Sequence, residues 1–327
     1  MKKLSFICFM ILLCGYISGC AAKSTEPLSH TEVLFDTVVT IQLYDTEDSG
    51  ILDDCFALCR DYEQRFSRTI DSSEISRLNS AKGAPVSVSA DTLELIQKGL
   101  YYGQLSNGNF DITIAPLSEL WDFKNNSGEI PAAQAVEETR SHVDYQKVIV
   151  DADAGTVQLL DPQAGIDLGG IAKGYIADKI KEFLLEKDVK HALINLGGNV
   201  LAAGGKPDGS AFQIGIQKPF ADSGEALTSV AASSLSVVTS GIYERYFEKD
   251  GEIYHHILAP QTGYPYENDL YGVTILSQSS ADGDALSTIC LSLGLGKGME
   301  LINSTEGIEA LFITRDNKLH YSDNFEH

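Results

Sequence analysis

The hydrophobic positions of this chain change their period several times along its length. Residues 33–44 alternate β-branched and polar side chains, which predicts a strand. In residues 51–66 the apolar positions recur every three or four residues, which predicts an amphipathic helix. Residues 72–79 predict a further short helix. The first part of the chain is therefore predicted as one strand followed by helices.

A longer helix is predicted over residues 89–106, where Asp91 and Glu94 are placed as a capping pair. The pattern changes at residue 147, where two short apolar runs around a turn predict a hairpin ending at residue 160. Beyond it, helices are predicted at 171–185 and 282–293, and strands at 192–196, 212–216, 237–238, 254–258, 271–276 and 310–314. Because helices and strands are interleaved without regular βαβ repetition, we expect an α+β (mixed α/β) fold in one globular unit.

The amino terminus has the pattern of a secretion signal. Lys2 and Lys3 precede an apolar stretch of about fourteen residues, which is shorter than a membrane-spanning helix requires. The stretch ends in Ile17-Ser18-Gly19-Cys20, which resembles the bacterial lipobox, whose cysteine is diacylated and becomes the mature amino terminus. An ordinary cleaved signal with an incidental cysteine is the alternative. The expected organisation is a signal peptide, a lipid-anchored tether and one folded domain, at residues 1–19, 20–30 and 31–327.

Charge then limits the partners of the chain. It contains 24 basic and 46 acidic residues, for a formal net charge of −22. Loss of Lys2 and Lys3 with the signal would change this charge from −22 to −24. Such an acidic protein is unsuited to nucleic acid and to electrostatic attachment to anionic lipid. We therefore expect an extracytoplasmic protein that is held on the bacterial cell membrane by the acyl chains at Cys20.

Five clusters of small, polar and charged residues interrupt the apolar segments, where packing alone does not require them. They occupy residues 106–113, 165–174, 195–199, 239–241 with 255–256, and 284–288.

The second cluster contains Gly169 and Gly170, which lead into a predicted helix whose first turn carries Lys173. Glycines allow a close approach to a ligand, and a helix start offers free N–H groups to a diphosphate. The spacing matches neither a P-loop nor a Rossmann turn. A tight strand-to-helix turn with a surface lysine is the alternative.

Asp284 and Thr288 in the last cluster are four residues apart, on one face of a predicted helix. A carboxylate and a hydroxyl in this arrangement suit Mg²⁺, which also takes oxygen ligands from substrate phosphates and water. Alternatively, Asp284 complements the helix dipole and Thr288 is packed.

Histidine and aromatic positions add two further candidates. His256 follows an apolar strand and could serve as a base or stack on a ring, or it could be a satisfied structural residue. Phe110 and Asp111 could face an aromatic ligand, or they could be a core aromatic residue beside a capping acid.

Seven short segments occur in a fixed order between residues 33 and 300. They are 66–68 with 73–79, 108–117 (GNFDITIAPL), 166–175 (IDLGGIAKGY), 193–199 (LINLGGN), 239–241 (TSG), 256–257 and 284–288 (DALST). In this order they resemble the motif series of the ApbE family, the FAD:protein FMN transferases. Phe35-Asp36-Thr37 stands where that family commonly has Met-Gly-Thr.

The resemblance implies a core related to the T-fold and a site for FAD as substrate. The implied FAD-binding residues are Phe35, Asn109, Phe110, Asp111, Asp167, Lys173, His256, Ile257 and Ser287. It also implies Mg²⁺ held by the backbone oxygen of Gly170 with Asp284 and Thr288. The implied partner is a membrane flavoprotein subunit whose threonine or serine attacks the FMN-side phosphorus, so that AMP leaves. His256 and Asp284 are then the candidate catalytic residues.

The sequence is compatible with two other functions. An FAD pyrophosphatase would use water in place of the acceptor hydroxyl and release FMN and AMP. A non-catalytic lipoprotein would bind FAD or another solute and release it unchanged.

Overall fold

The computed structural model describes residues 26–126, 128–222 and 224–326, so the predicted signal peptide and Cys20 lie outside the described residues. The helices are α1 (Ser49–Phe66), α2 (Glu74–Asn79), α3 (Ala90–Leu105), α4 (Ala115–Trp121), α5 (Ala133–Arg140), α6 (Ala172–Glu186) and α7 (Ser280–Asn303). The strands are β1 (Leu28–Leu34), β2 (Thr37–Leu43), β3 (Val86–Ser87), β4 (Val148–Asp151), β5 (Thr156–Leu159), β6 (Ala192–Leu196), β7 (Asn199–Ala203), β8 (Phe212–Gln217), β9 (Ala226–Ala232), β10 (Ser236–Gly241), β11 (Tyr246–Lys249), β12 (Glu252–His255), β13 (Leu270–Ser277), β14 (Glu309–Thr314) and β15 (Leu319–Tyr321).

An eight-stranded sheet with the order β1-β2-β6-β7-β10-β13-β14-β15 organises the fold. Every neighbouring pair in it is antiparallel. The strands β3, β5 and β4 form a small separate sheet, and β8–β9 and β11–β12 are separate hairpins. Helices and antiparallel sheets together confirm the predicted α+β class.

The two faces of the large sheet are covered differently. Helices α6 and α7 cover one face, where Ser236 Oγ of β10 lies 2.8 Å from Ser280 Oγ of α7. Val237, the next residue, belongs to a second buried cluster with Ile214 and Ile216 of β8. Because neighbouring side chains in a strand point to opposite faces, the β8–β9 hairpin covers the face opposite the helices.

The prediction of one strand over residues 33–44 is wrong. The chain forms the hairpin β1–β2, with Val33 opposite Val38. Phe35 and Asp36 make its two-residue turn with φ angles of 54° and 57°, as a tight hairpin requires. The two-residue turn shifts the buried positions by one residue, from Leu34 before it to Val39 and Ile41 after it, and the sequence analysis missed this shift. The hairpin begins at Leu28, inside the segment predicted as a tether.

The predicted helices α1, α2, α3 and α6 are present, but the predicted cap of α3 is wrong. Ser89 is the cap, and its side chain accepts a hydrogen bond from the backbone of α3. Asp91 lies 2.6 Å from Arg65, and Glu94 accepts a hydrogen bond of 2.7 Å from the hydroxyl of Tyr175. Both carboxylates therefore bind neighbouring helices instead of their own helix start.

Several elements carry little periodic signal and are missed by the sequence analysis. Helix α5 buries a single residue, Val136, and α4 has only seven residues. Strand β7 is buried at every position, so it shows no alternation. Helix α7 extends beyond the predicted residue 293, because the chain resumes its helix after a break at Gly294, where φ is 74° and ψ is 174°.

The starts of α6 and α7 are in close contact. A Cβ atom on Gly174 would lie 2.2 Å from the carbonyl oxygen of Ser280, so only glycine fits there. The Gly174 N–H donates a hydrogen bond of 2.9 Å to Asp284 Oδ2. In return, Asp178 of α6 caps α7, accepting hydrogen bonds from the N–H groups of Ser280 (2.8 Å) and Ala281 (3.0 Å). The two helices are therefore fixed to one another at their amino-terminal ends.

We expect Gly174→Ala to destabilise the protein by roughly 1–3 kcal/mol, because the added methyl group must displace backbone of α7. Gly296→Ala is the matched control, since that glycine is exposed in α7 and a Cβ there has no neighbour within 4 Å. The control is expected to be neutral or to stabilise by up to about 1 kcal/mol. Urea denaturation measures both, and equal stabilities for the two variants would contradict the close contact.

Candidate functional site

A cavity of about 1300 Å³ lies at the end of the large sheet, beside the turns between β1 and β2 and between β6 and β7. The starts of α6 and α7 and the segment after β12 complete its wall. The predicted site residues that line it are Phe35, Asn109, Phe110, Asp111, Asp167, Gly170, Lys173, His256, Ile257, Asp284 and Thr288. Segments far apart in sequence thus meet at one cavity.

Asp284 provides a buried carboxylate at the wall of this cavity. Its side chain is only 6% exposed. One oxygen, Oδ2, is engaged by the N–H of Gly174, and the other, Oδ1, lies 3.8 Å from Lys173 Nζ. That separation is longer than a hydrogen bond, so Oδ1 retains the capacity to bind another group.

Gly170 and Thr288 lie beside this carboxylate. A Cβ atom on Gly170 would be 3.9 Å from Thr288 Oγ1 and 3.0 Å from Cε2 of Phe110. Ser240 Oγ lies 3.1 Å from Thr288 Oγ1 and 2.7 Å from Ser287 Oγ. Ser287 is fully buried and is not among the residues that line the cavity, so its side chain fixes Ser240.

This set of donors fits a hard divalent cation. A carboxylate, a hydroxyl and a backbone carbonyl oxygen are ligands that Mg²⁺ prefers, together with substrate phosphates and water. Among the described residues, no three His, Cys, Asp or Glu side chains cluster closely enough to hold a metal. A cation at Asp284 and Thr288 would therefore take its remaining ligands from backbone oxygen, water or a bound phosphate.

Asp167 and Gly169, in the loop before α6, contact two cationic side chains at the cavity, Arg68 and Lys173. Asp167 Oδ1 accepts a hydrogen bond of 2.8 Å from the N–H of Gly169, which shapes the glycine turn. Asp167 Oδ2 lies 3.0 Å from Arg68 Nε, and Lys173 Nζ donates to the carbonyl oxygen of Gly169 at 3.2 Å. Both cations remain partly exposed, Arg68 at 29% and Lys173 at 27%. They lie beside a helix start, which favours an anion.

Arg68 received no role in the sequence analysis, although it belongs to one of the quoted motifs. It follows α1 directly, and its ion pair spans 99 positions to reach Asp167. The only sequence signal for this role is that Arg68 lies just after a predicted helix, and that signal is not specific.

The segment at Asn109 to Asp111 is largely structural. Asp111 Oδ1 accepts hydrogen bonds from the N–H and hydroxyl of Thr113, and Oδ2 accepts one from the N–H of Tyr145. Burial raises the pKa of Asp111 despite these bonds. Phe110 is 6% exposed, and the carbonyl oxygen of Asn109 accepts a hydrogen bond of 2.8 Å from Tyr266. Asp111 therefore holds the loop while Phe110 forms part of the cavity wall.

His256 faces the cavity with a defined tautomer. Its Nδ1 lies 3.2 Å from the carbonyl oxygen of Arg245, so Nδ1 carries the proton and Nε2 keeps its lone pair. Burial, with the neighbouring His255 and Arg245, lowers the pKa of His256 to about 3. The imidazole is therefore neutral near pH 7 and can accept a hydrogen bond through Nε2.

The turn between β1 and β2 forms one rim of the cavity. The N–H of Phe35 donates a hydrogen bond of 2.6 Å to Glu63, and Asp36 lies 2.7 Å from Lys124 Nζ. Asp36 adopts the left-handed region at the position where the resembling family commonly has glycine. The ion pair with Lys124 joins this turn to the loop after α4, which is a feature that the sequence analysis did not find.

The two adjacent histidines predict a pH dependence of folding. Burial lowers the pKa of His255 from 6.5 to about 4, and His255 is only 2% exposed. As pH falls below about 6.5, the unfolded chain gains protons that the folded protein does not, so the free energy of unfolding decreases until pH 4. Between pH 7 and pH 5 the free energy of unfolding of the unaltered protein decreases. We expect this decrease to be about 1–2 kcal/mol smaller in His255→Gln. Urea denaturation at both pH values measures this difference, and equal losses would contradict it.

The sequence is similar to known proteins over most of its length. The model of the ApbE family matches residues 35–312. An FAD:protein FMN transferase of Klebsiella pneumoniae is 37% identical over 289 residues, covering 88% of this chain and 89% of that protein. One of Treponema pallidum is 33% identical over 330 residues, covering 95% and 91%.

Solved structures show the same likeness in three dimensions. The crystal structure of the ApbE protein from Thermotoga maritima superimposes with a TM-score of 0.84 at 30% identity, covering 92% of this chain and 98% of that chain. The flavin transferase ApbE from Vibrio cholerae gives a TM-score of 0.80 at 26% identity, with coverage of 92% and 98%.

Proposed function

The chain belongs to the ApbE family, and from this membership we propose that it is an Mg²⁺-dependent FAD:protein FMN transferase. In the proposed reaction, a threonine or serine oxygen of an acceptor flavoprotein subunit bonds to the FMN-side phosphorus of FAD. The phosphoanhydride bond to the AMP moiety breaks, and AMP leaves. The main structural support for the proposal is that Lys173 Nζ lies 3.8 Å from Asp284 Oδ1 in the wall of the cavity. Gly170 and Thr288 line the same cavity.

The pyrophosphate is proposed to bind at the start of α6. Lys173, Arg68 and the positive end of the α6 dipole supply the positive potential. Phosphoryl transfer depends mainly on positioning and charge neutralisation, so groups held by fixed helices are suited to it.

The proposed Mg²⁺ ligands are Asp284, Thr288 and the carbonyl oxygen of Gly170. When bound, the cation would neutralise charge on the phosphates and on the leaving AMP. The hydrogen bond from Gly174 keeps the Asp284 carboxylate oriented, so that Oδ1 faces the cavity side on which Lys173 lies.

His256 is the proposed base. Its unprotonated Nε2 can accept the proton of the acceptor hydroxyl, while Nδ1 stays bound to the Arg245 carbonyl oxygen. Asp284 is the competing candidate, but one of its oxygens is engaged by Gly174 and the other is assigned to the cation. His256 therefore has the freer lone pair, and the negative charge of a bound pyrophosphate would raise its lowered pKa toward that of a working base.

We also propose that the protein is anchored outside the cytoplasm by lipids on Cys20. The proposal rests on Ile17-Ser18-Gly19-Cys20 and on an acidic composition that does not itself favour anionic membranes. Cys20→Ala is expected to abolish lipid labelling and to move the protein from the membrane to the soluble fraction. An unaltered protein that is never labelled would overturn this part of the proposal.

The products formed from FAD test the proposed function. The protein is incubated with FAD, Mg²⁺ and a candidate flavoprotein subunit, and intact mass and AMP are measured. A transferase adds FMN to the subunit and releases an equal amount of AMP. Free FMN with AMP and no modified subunit identifies a pyrophosphatase, and intact FAD identifies a binding protein; either outcome rejects transfer.

Removal of the Asp284 carboxylate tests the metal site. We expect Asp284→Asn to lower kcat by roughly a hundredfold or more, as for other single groups that stabilise transition-state charge. Asp282→Asn is the matched control on the same helix, because Asp282 pairs with Lys98 at 2.6 Å and does not line the cavity. Turnover rates at saturating FAD and several Mg²⁺ concentrations measure both. Full activity of Asp284→Asn, or in EDTA, would contradict the assignment.

A further inference from the structure

Strand β8 borders the same cavity with its edge. Four consecutive residues, Ile214 to Gln217, line the cavity. Neighbouring side chains of a strand point to opposite faces, so a cavity that touches consecutive residues touches the edge of the strand. No residue of β9 lines the cavity, which places the edge on the side of β8 away from its hairpin partner.

That edge of β8 is unpaired in the described part of the chain. β8 and β9 form a two-stranded sheet in which each strand has one neighbour. An unpaired edge presents a row of backbone N–H and C=O groups, which bind another extended segment by strand addition. Gly215 at the middle of β8 is exposed, so no side chain of its own covers the edge there.

β8 lies apart from the groups assigned to FAD phosphates and Mg²⁺. It covers the sheet face opposite α6 and α7, whereas Lys173 and Asp284 belong to those helices. The cavity reaches both faces because it touches consecutive residues of β10, from Val237 to Gly241. Its volume of about 1300 Å³ also exceeds the roughly 300–1,000 Å³ of ordinary small-molecule sites. There is thus room along β8 for a second substrate.

Aromatic side chains that include Phe220, just after β8 in sequence, suit contact with a polypeptide. Tyr243 lines the cavity and is 7% exposed. Phe220 packs edge-on against Tyr243 and Tyr246, with ring centroids 5.9 and 5.1 Å apart, and Phe220 and Tyr246 are each 38% exposed.

We propose that the acceptor protein binds as an added strand along the β8 edge. Its extended segment carries the threonine or serine hydroxyl into the cavity, and an apolar side chain of that segment packs on Phe220 and Tyr246. The β8 edge presents N–H and C=O groups along its whole length. It therefore complements an extended polypeptide better than it complements the edge of one flavin ring. The inference rests on the proposed transferase function, because only a transferase requires a polypeptide substrate.

Disulfide trapping tests the geometry. The probe is a flavoprotein subunit that gains FMN in the assay above, with single cysteines at successive positions around the modified residue. Paired strands bring opposite Cα atoms to about 4.5–5.5 Å, within disulfide reach. Gly215→Cys is therefore expected to cross-link mainly to the one probe position directly opposite it. The adjacent probe positions point to the other face, and those two residues away lie about 7–8 Å off, beyond disulfide reach. The domain's own Cys55, Cys59 and Cys290 are buried and do not compete.

Ser229→Cys is the matched control. Ser229 is exposed and lies opposite Gly215 on β9, one strand further from the proposed segment. It is expected to form no cross-links, since the next strand but one lies beyond disulfide reach. Equal cross-linking at adjacent probe positions, no cross-link at any position, or equal cross-links from both variants would overturn the proposal. The unaltered protein is assayed for FMN transfer alongside the variants. If it transfers no FMN to the probe, the proposed function fails, and the strand proposal is rejected with it.

Kinetics test the aromatic contact separately. Tyr246→Ala is expected to raise KM for the acceptor about tenfold, a typical effect of truncating an interface aromatic residue. The Kd for FAD, measured by flavin fluorescence, is expected to stay within twofold. Tyr321→Ala is the control, since Tyr321 is an exposed aromatic residue on β15 at the far edge of the sheet. An unchanged KM for the acceptor in Tyr246→Ala, or a parallel rise in Kd for FAD, would reject this contact.

Discussion

The close contact between the starts of α6 and α7 is the constraint on which the site depends. Gly174 allows the two helices to meet, and the meeting brings its N–H to Asp284. A reciprocal contact, from Asp178 to the first N–H groups of α7, fixes the relative rotation of the helices. The carboxylate, Lys173 and Thr288 consequently reach the cavity in a fixed arrangement before any ligand binds. Such preorganisation avoids an entropic cost at the moment of reaction.

The alternation of side chains in β10 gives the cavity its two sides. Ser240 points to the helix face, where it bonds to Ser287 and Thr288, and Val237 points to the face that β8 covers. At the same end of the sheet, β7 pairs with β10 only from Val238 to Ser236, so the last residues of β10 extend past it. Groups suited to phosphate and groups suited to a peptide backbone can therefore border one cavity from opposite faces of one sheet.

The sequence predicts those parts of the site that lie within local motifs. Asp284 and Thr288 share a helix face because of their spacing, and Lys173 lies in the first turn of α6 as its glycine step indicates. Arg68 and Lys124 are missed because each becomes informative only through a partner distant in sequence. The fold class follows from the interleaved helical and strand periods. The β1–β2 turn does not, since Phe35-Asp36 is none of the glycine-containing pairs that mark a tight hairpin turn in a sequence.

Charge pairing around the cavity argues for a divalent cation in the proposed reaction. Three of the four cationic side chains at the wall, all but Arg245, already form an ion pair with an acidic side chain among the described residues: Arg68 has Asp167 at 3.0 Å, Lys173 has Asp284 at 3.8 Å, and Lys124 has Asp36 at 2.7 Å. These pairs leave little net positive charge to offset a pyrophosphate, and the chain as a whole carries a net charge of −22. A cation bound to Oδ1 of Asp284 would supply positive charge close to the phosphates and to the leaving AMP. The acidic wall therefore favours a mechanism in which substrate and cation bind together, because neither has a complete set of partners without the other.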